Sequence, residues 1–249
     1  MSNKTLIEVC ANSLESALIA QKEGADRIEL CQSLNEGGLT PSAGTLKAAR
    51  EALSIEIHVL IRPRAGDFCY SEIELAEMKA DIKYAKELGI DGVVFGILNQ
   101  DGNINKAACT EFINLAKPMT LTFHRAFDMS KDPIKALNDL IELGFDRLLT
   151  SGQQNKAFEG IHLINKLVDI ADNRIVIMAG SGINAENIQQ IKAETGVNNC
   201  HVSASSRIES IMKFQKKGIA MGGIKGYPEF EKRCTDPIKL KSIIKAAKE

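Results

Sequence analysis

The sequence has almost no net charge, with 31 lysines and arginines against 32 aspartates and glutamates. Neither sign gathers into a long run, so the basic footprint of a nucleic-acid binder is missing. No apolar stretch is long enough to cross a bilayer as a helix, and the N-terminus lacks the apolar region and cleavage site of a secretory signal. A cytoplasmic protein with no membrane and no nucleic-acid partner is expected. There is no Cys-x-x-Cys pair, and the six cysteines are scattered, so a reducing compartment would leave them as free thiols. The HExxH, Walker and strand-linked GxGxxG patterns are absent, which removes support for zincin, P-loop and Rossmann chemistry. No lysine falls inside an expected strand, which disfavours a Schiff-base aldolase.

What is present is rhythm. Apolar runs alternate with amphipathic stretches over the whole length, and strands are expected at Leu6–Ala11, Arg27–Gln32, Glu56–Pro63, Gly92–Leu98, Met119–Phe127, Arg147–Gly152, Arg174–Gly182 and Asn199–Ser206. Eight strand–helix alternations predict a parallel sheet covered by helices, and closing that sheet removes its edges. The expected architecture is α/β, a (β/α)8 TIM barrel formed as one domain over residues 1–249. A weak repeat supports it: Gly24-Ala25-Asp26, Gly89-Ile90-Asp91, Gly144-Phe145-Asp146 and Gly196-Val197-Asn198 each place a helix-stopping glycine before an apolar and a polar residue. The repeat recurs every second strand–helix unit. The rhythm breaks at about 207–236, where Gly218, Gly222, Gly223, Gly226 and Pro228 suit a lid, an interface or a mobile segment alike.

Function in such barrels sits at the C-terminal strand ends, and alternation sends every second strand residue inward. One parity collects the polar residues: Glu8 and Cys10; Glu29 and Cys31; His58, Arg62 and Arg64; Thr120, Thr122 and His124; Ser181; His201 and Ser203. Buried carboxylates need partners. For Glu8 and Glu29 the expected ones are Arg62 and Arg64, then Arg125, with Glu8 as lumen filling. The surplus of guanidinium charge suits an anion, with Ser181, Gly182 and Ser203 at the strand ends where phosphate is often held and Asn184 as a helix cap. His124 and Glu29 are candidate acid–base groups; Asp128 either orients His124 or caps the next turn. Cys10 and Cys31 end adjacent strands. They suit a soft ion such as Cu(I), or pack as small hydrophobic residues.

Several of these segments together resemble one family. They are Gly24-Ala25-Asp26-Arg27-Ile28-Glu29-Leu30-Cys31, Glu36-Gly37-Gly38-Leu39-Thr40-Pro41-Ser42, Ile61-Arg62-Pro63-Arg64, Thr122-Phe123-His124-Arg125-Ala126-Phe127-Asp128, and Met178-Ala179-Gly180-Ser181-Gly182. The chain resembles the CutC copper-homeostasis family from Ile7 to about Phe214. The resemblance implies a TIM barrel, a cytoplasmic location, a homo-oligomer (dimer or tetramer) and a role in copper binding or trafficking that falls on Cys10 and Cys31. Ala65 departs from the family's usual glycine in the Arg-Pro-Arg loop. The motifs most characteristic of the family are cationic or hard groups, which look like an anion site. An enzyme acting on a small phosphorylated or carboxylated metabolite therefore stands beside the copper reading. In that second reading Arg62, Arg64, Arg125, Ser181, Gly182 and Ser203 hold the anion.

Overall fold

The computed structural model describes residues 5–216, 218, 219, 221 and 228–248. Eight strands, β1 (Leu6–Ala11), β2 (Arg27–Leu30), β3 (Glu56–Leu60), β4 (Gly92–Phe95), β5 (Thr120–Phe123), β6 (Arg147–Thr150), β7 (Val176–Gly180) and β8 (Asn199–Val202), close into a barrel in chain order. Every neighbouring pair is parallel, including β8 with β1. Strands such as β4, Gly-Val-Val-Phe, are buried along their whole length because helices cover the outside and side chains fill the inside. The covering helices are α1 (Leu14–Lys22), α2 (Ala43–Ala52), α3 (Glu72–Glu87), α4 (Lys106–Ala116), α5 (Pro133–Leu143), α6 (Ile161–Ala171), α7 (Ile188–Thr195) and α8 (Pro237–Lys248). The expected (β/α)8 barrel is the observed one.

The glycine repeat has a structural reason. Gly24, Gly89, Gly144 and Gly196 follow α1, α3, α5 and α7 with φ of +87°, +70°, +81° and +77°, a region that side chains enter only with strain. The aspartate two residues on then reaches to the start of the neighbouring strand. Asp26, Asp91 and Asp146 accept the first free N–H of the preceding odd strand, from Ile7 at 3.0 Å, Ile57 at 2.8 Å and Leu121 at 2.8 Å. A local stop signal is thus also a clamp on register.

Two expectations about the last third are corrected. The eighth strand stops at Val202, not Ser206, because Ala204 takes φ +45° and turns the chain out of the barrel. The stretch after it is not structureless: β9 (Ser205–Glu209) pairs antiparallel with β10 (Glu231–Thr235). This hairpin docks on α1, where Thr235 N–H donates to Ser16 Oγ at 3.0 Å and Asn12 Nδ2 to the Arg233 carbonyl at 3.1 Å. Gly222, Gly223 and Gly226 lie outside the described residues. Among the described residues no helix is long and apolar enough to cross a membrane.

Candidate functional site

The lumen holds polar groups in two layers. In the lower one Glu8 is fully buried and ion-paired with the equally buried Arg27. Its other oxygen meets His201 Nδ1 at 2.8 Å. Burial alone would push the Glu8 carboxyl up, but Arg27, His201 and His58 outweigh it and hold the group well below the usual carboxylate range. The expectation that Arg62 and Arg64 partner Glu8 is therefore corrected. Arg27 starts β2 directly opposite Glu8 in the register, and barrel closure sets His201 opposite Glu8 on the other side.

The upper layer begins at Cys10 and Cys31, whose sulfurs are 3.7 Å apart and unoxidised. With Leu60 and Val94 they form a small apolar cluster inside the barrel. One ligand atom each from Cys10, Glu29 and His201 lies within 4.8 Å of the others. His201 Nε2 is 3.4 Å from Glu29, so the ring spans both carboxylates. Burial opposes a charged ring, yet Glu29, Cys10 and Glu8 raise His201 well above its ordinary value. Burial raises Glu29, and His201 offsets this only in part. The Cys31 hydrogen bond and burial push the Cys10 thiol up.

Above this layer a cavity of about 480 Å³ opens at the C-terminal strand ends. Cys10, Glu29 and His201 line its base, and Arg62, Phe68 and His124 line one wall. Arg125, Asp128, Ser181, Gly182 and Ser203 also line it, while Cys31 lies behind Cys10, 1% exposed. Arg62 is buried and held by backbone oxygens, its Nη1 donating to Glu36 at 2.8 Å and Gly38 at 2.9 Å and its Nη2 to Gly66 at 3.0 Å. The His124 ring fits because residue 96 is glycine: a Cβ there would sit 2.5 Å from Nδ1.

Three expected roles do not match the geometry. Arg64 lies outside the cavity lining; its guanidinium pairs with Glu74 and Asp67 and stacks on Tyr70. The alternation that would turn it inward ends with β3 at Leu60. Asp128 neither orients His124 nor caps the next turn. It accepts from Arg125 Nε at 2.7 Å and from the Ser151 and Gln153 N–H groups, tying the 3-10 turn at Arg125–Met129 to the end of β6. Asp132 is the residue that caps α5. Asn184 caps the turn before α7, accepting from Glu186 N–H and Asn187 N–H, and is not the cap of the helix itself. Ser181 faces the cavity but donates to the Asn155 carbonyl at 2.7 Å.

The structure adds His201 and Phe68. His201 was legible as lumen-facing from its parity, but its place between Glu8 and Glu29 needs the β8–β1 seam. Phe68 follows the end of β3 in a turn, where no periodicity predicts direction.

Comparison with known proteins agrees with this picture. The model of the CutC family matches residues 5–206. A mouse protein named copper homeostasis protein cutC homolog is 47% identical over 247 residues, covering 99% of this chain and 91% of its own. A human protein of the same name is also 47% identical, with 99% and 90% covered. The solved structure of the CutC protein from Streptococcus agalactiae superposes with a TM-score of 0.77 at 40% identity, over 80% of this chain and 98% of its own.

Proposed function

The chain belongs to the CutC family, and from that premise we propose that it serves copper homeostasis by holding Cu(I) at the base of the barrel mouth. The observation that carries this reading is the pair of buried sulfurs 3.7 Å apart with His201 and Glu29 beside Cys10. Sulfurs at that separation are close enough to share one soft ion. Thiolates are the soft ligands that favour Cu(I). Leu60 and Val94 pack around the two cysteines on their apolar side.

His201 is the nearest nitrogen donor, and Glu8 organises it. A ligating histidine usually gives its second ring nitrogen to a carboxylate, which fixes the tautomer and aims the lone pair. Glu8 on Nδ1 does this, leaving Nε2 toward Cys10 and Glu29. Binding must release the thiol protons and the proton that the raised His201 ring carries on Nε2. The Glu29 carboxyl, within 4.8 Å of the Cys10 sulfur, is one group that can accept a proton.

Cu(I) titration of the reduced protein tests the reading. Stoichiometric uptake is expected in the wild type and loss in the Cys10→Ser, Cys31→Ser double variant; uptake unchanged in that variant overturns it. A cytoplasmic location, where these thiols stay reduced, belongs to the same proposal, as does self-association as a dimer or tetramer. The support for association is apolar exposure next to the hairpin: Ile211 is 98% exposed and Phe214 72%. Sedimentation of an Ile211→Asp, Phe214→Asp variant is expected to show a smaller species than the wild type.

A further inference from the structure

Two deeply buried donors at the mouth lack an acceptor among the described residues. Arg62, 6% exposed, lines the cavity, and its Nε has no partner. Its other nitrogens donate to backbone carbonyls, and the Tyr70 hydroxyl lies beside the guanidinium. The other two arginines of this region are neutralised, Arg64 by Glu74 and Asp67 and Arg125 by Asp128. Arg62 has no carboxylate at ion-pair distance among the described residues, and a buried charge normally has one.

His124, 5% exposed, lines the same wall. Its Nδ1 accepts the Ala126 N–H at 3.1 Å, so the neutral ring carries its proton on Nε2, which has no acceptor. Burial, with Arg62 nearby, lowers the ring to about 3 and keeps it neutral.

One side chain covers both donors. The Phe68 ring lies 5.1 Å from Arg62 Cζ and 5.0 Å from the His124 ring centre. A π face is a weak acceptor for a guanidinium or an N–H group. The Phe68 backbone is fixed, its carbonyl accepting from Leu98 N–H at 2.8 Å, so only the side chain has to turn to uncover the donors. The remaining wall is largely apolar, through Leu34, Leu60, Leu149 and Ile183. The volume falls in the range of small-molecule sites.

We propose that Arg62 and His124 form the recognition pair of a second ligand site in this mouth, one that takes a small organic anion. The ligand is a carboxylate or phosphate monoester with a compact apolar body, and the Phe68 ring holds the two donors in its place and turns aside to admit it. Arg62 supplies the charge, and His124 supplies one directed N–H to an anionic oxygen. Leu60 and the neighbouring aliphatic side chains receive the body. This site does not depend on copper, because neither donor belongs to the sulfur cluster.

Calorimetric titration of the reduced, metal-free protein with benzoate, phenyl phosphate and the neutral isostere benzamide tests it. At least one anion is expected to saturate the protein, with benzamide weaker by about tenfold or more. The better anion decides between the carboxylate and phosphate sources. Arg62→Met is expected to lose the preference for the anion over benzamide, and Phe68→Ala to bind it at least as tightly as the wild type. If Arg62→Met does not fold, the nitrogen resonance of His124 Nε2 in labelled wild-type protein serves instead, and it should shift on saturation. The proposal fails if neither anion binds the wild type or Phe68→Ala at millimolar concentration. It also fails if folded Arg62→Met binds as the wild type does, or if the His124 resonance is unmoved by saturating anion. Cu(I) titration of Arg62→Met should still show uptake, which separates failure here from failure of the copper reading.

Discussion

Arg27 and Arg62 are both nearly inaccessible, both point into one barrel, and they are satisfied in opposite ways. Arg27, in the lower layer, sits against the Glu8 carboxylate, which His201 engages from its other side. Arg62, at the mouth, touches carbonyl oxygens and an aromatic face but no carboxylate. The lower layer pairs its arginine with a carboxylate and so reads as structure, although Arg27 Nη1 and both His58 ring nitrogens lack a hydrogen-bond partner among the described residues. Among the same residues the mouth leaves a charge without a carboxylate and a directed imidazole N–H without an acceptor at a cavity, which is the arrangement expected where a ligand finishes the job.

The contrast can be broken at its strongest point first. Arg27→Met removes one partner of a buried pair and should cost about 3–5 kcal/mol of unfolding free energy. Arg62→Met leaves only carbonyls short of donors and should cost about 1–2 kcal/mol. Urea denaturation of the two variants measures the gap; equal losses would mean that the two layers are not different in kind.

A pH-dependent effect comes from two buried histidines, His58 below and His124 at the mouth. Burial lowers both His58 and His124 from 6.5 to about 3. The unfolded chain therefore binds protons below pH 6.5 that the folded chain refuses. Stability should be independent of these rings above that pH, and should fall as pH drops from about 6.5 toward 3. Urea midpoints across this range should decline in the wild type and decline less steeply in His124→Gln.

The smallest effect sharpens the boundary of the mouth. Arg64, drawn out of the cavity by Glu74 and Asp67, forms a partly exposed ion pair. Arg64→Ala should cost less than about 1 kcal/mol. It should also leave benzoate and phenyl phosphate binding where it was, a result that titration can check beside Arg62→Met.

Much of this was legible before any coordinates. Side-chain alternation marked Glu8, Cys10, Glu29, His124 and His201 as facing inward, because a strand covered by helices has only two directions to offer. The same rule misled at Arg64, which lies beyond Leu60, where β3 and its alternation end. It was silent on who meets whom. Arg27 shared the inward parity, yet its pairing with Glu8 follows from the stagger between β1 and β2. Asp128 looked like a partner of His124 from proximity in the chain, but the turn after β5 carries it to Ser151 on the next strand.

The order of strands, the helix stops at Gly24, Gly89, Gly144 and Gly196, and the inward parity were determined by sequence alone, since each rests on contacts within a few residues of the chain. The pairing of Glu8 with Arg27 and His201, the 3.7 Å approach of Cys10 to Cys31, and the covering of Arg62 and His124 by Phe68 were decided only by the tertiary structure. Those depend on barrel closure and shear, which bring residues up to 193 positions apart into contact and which no local pattern encodes.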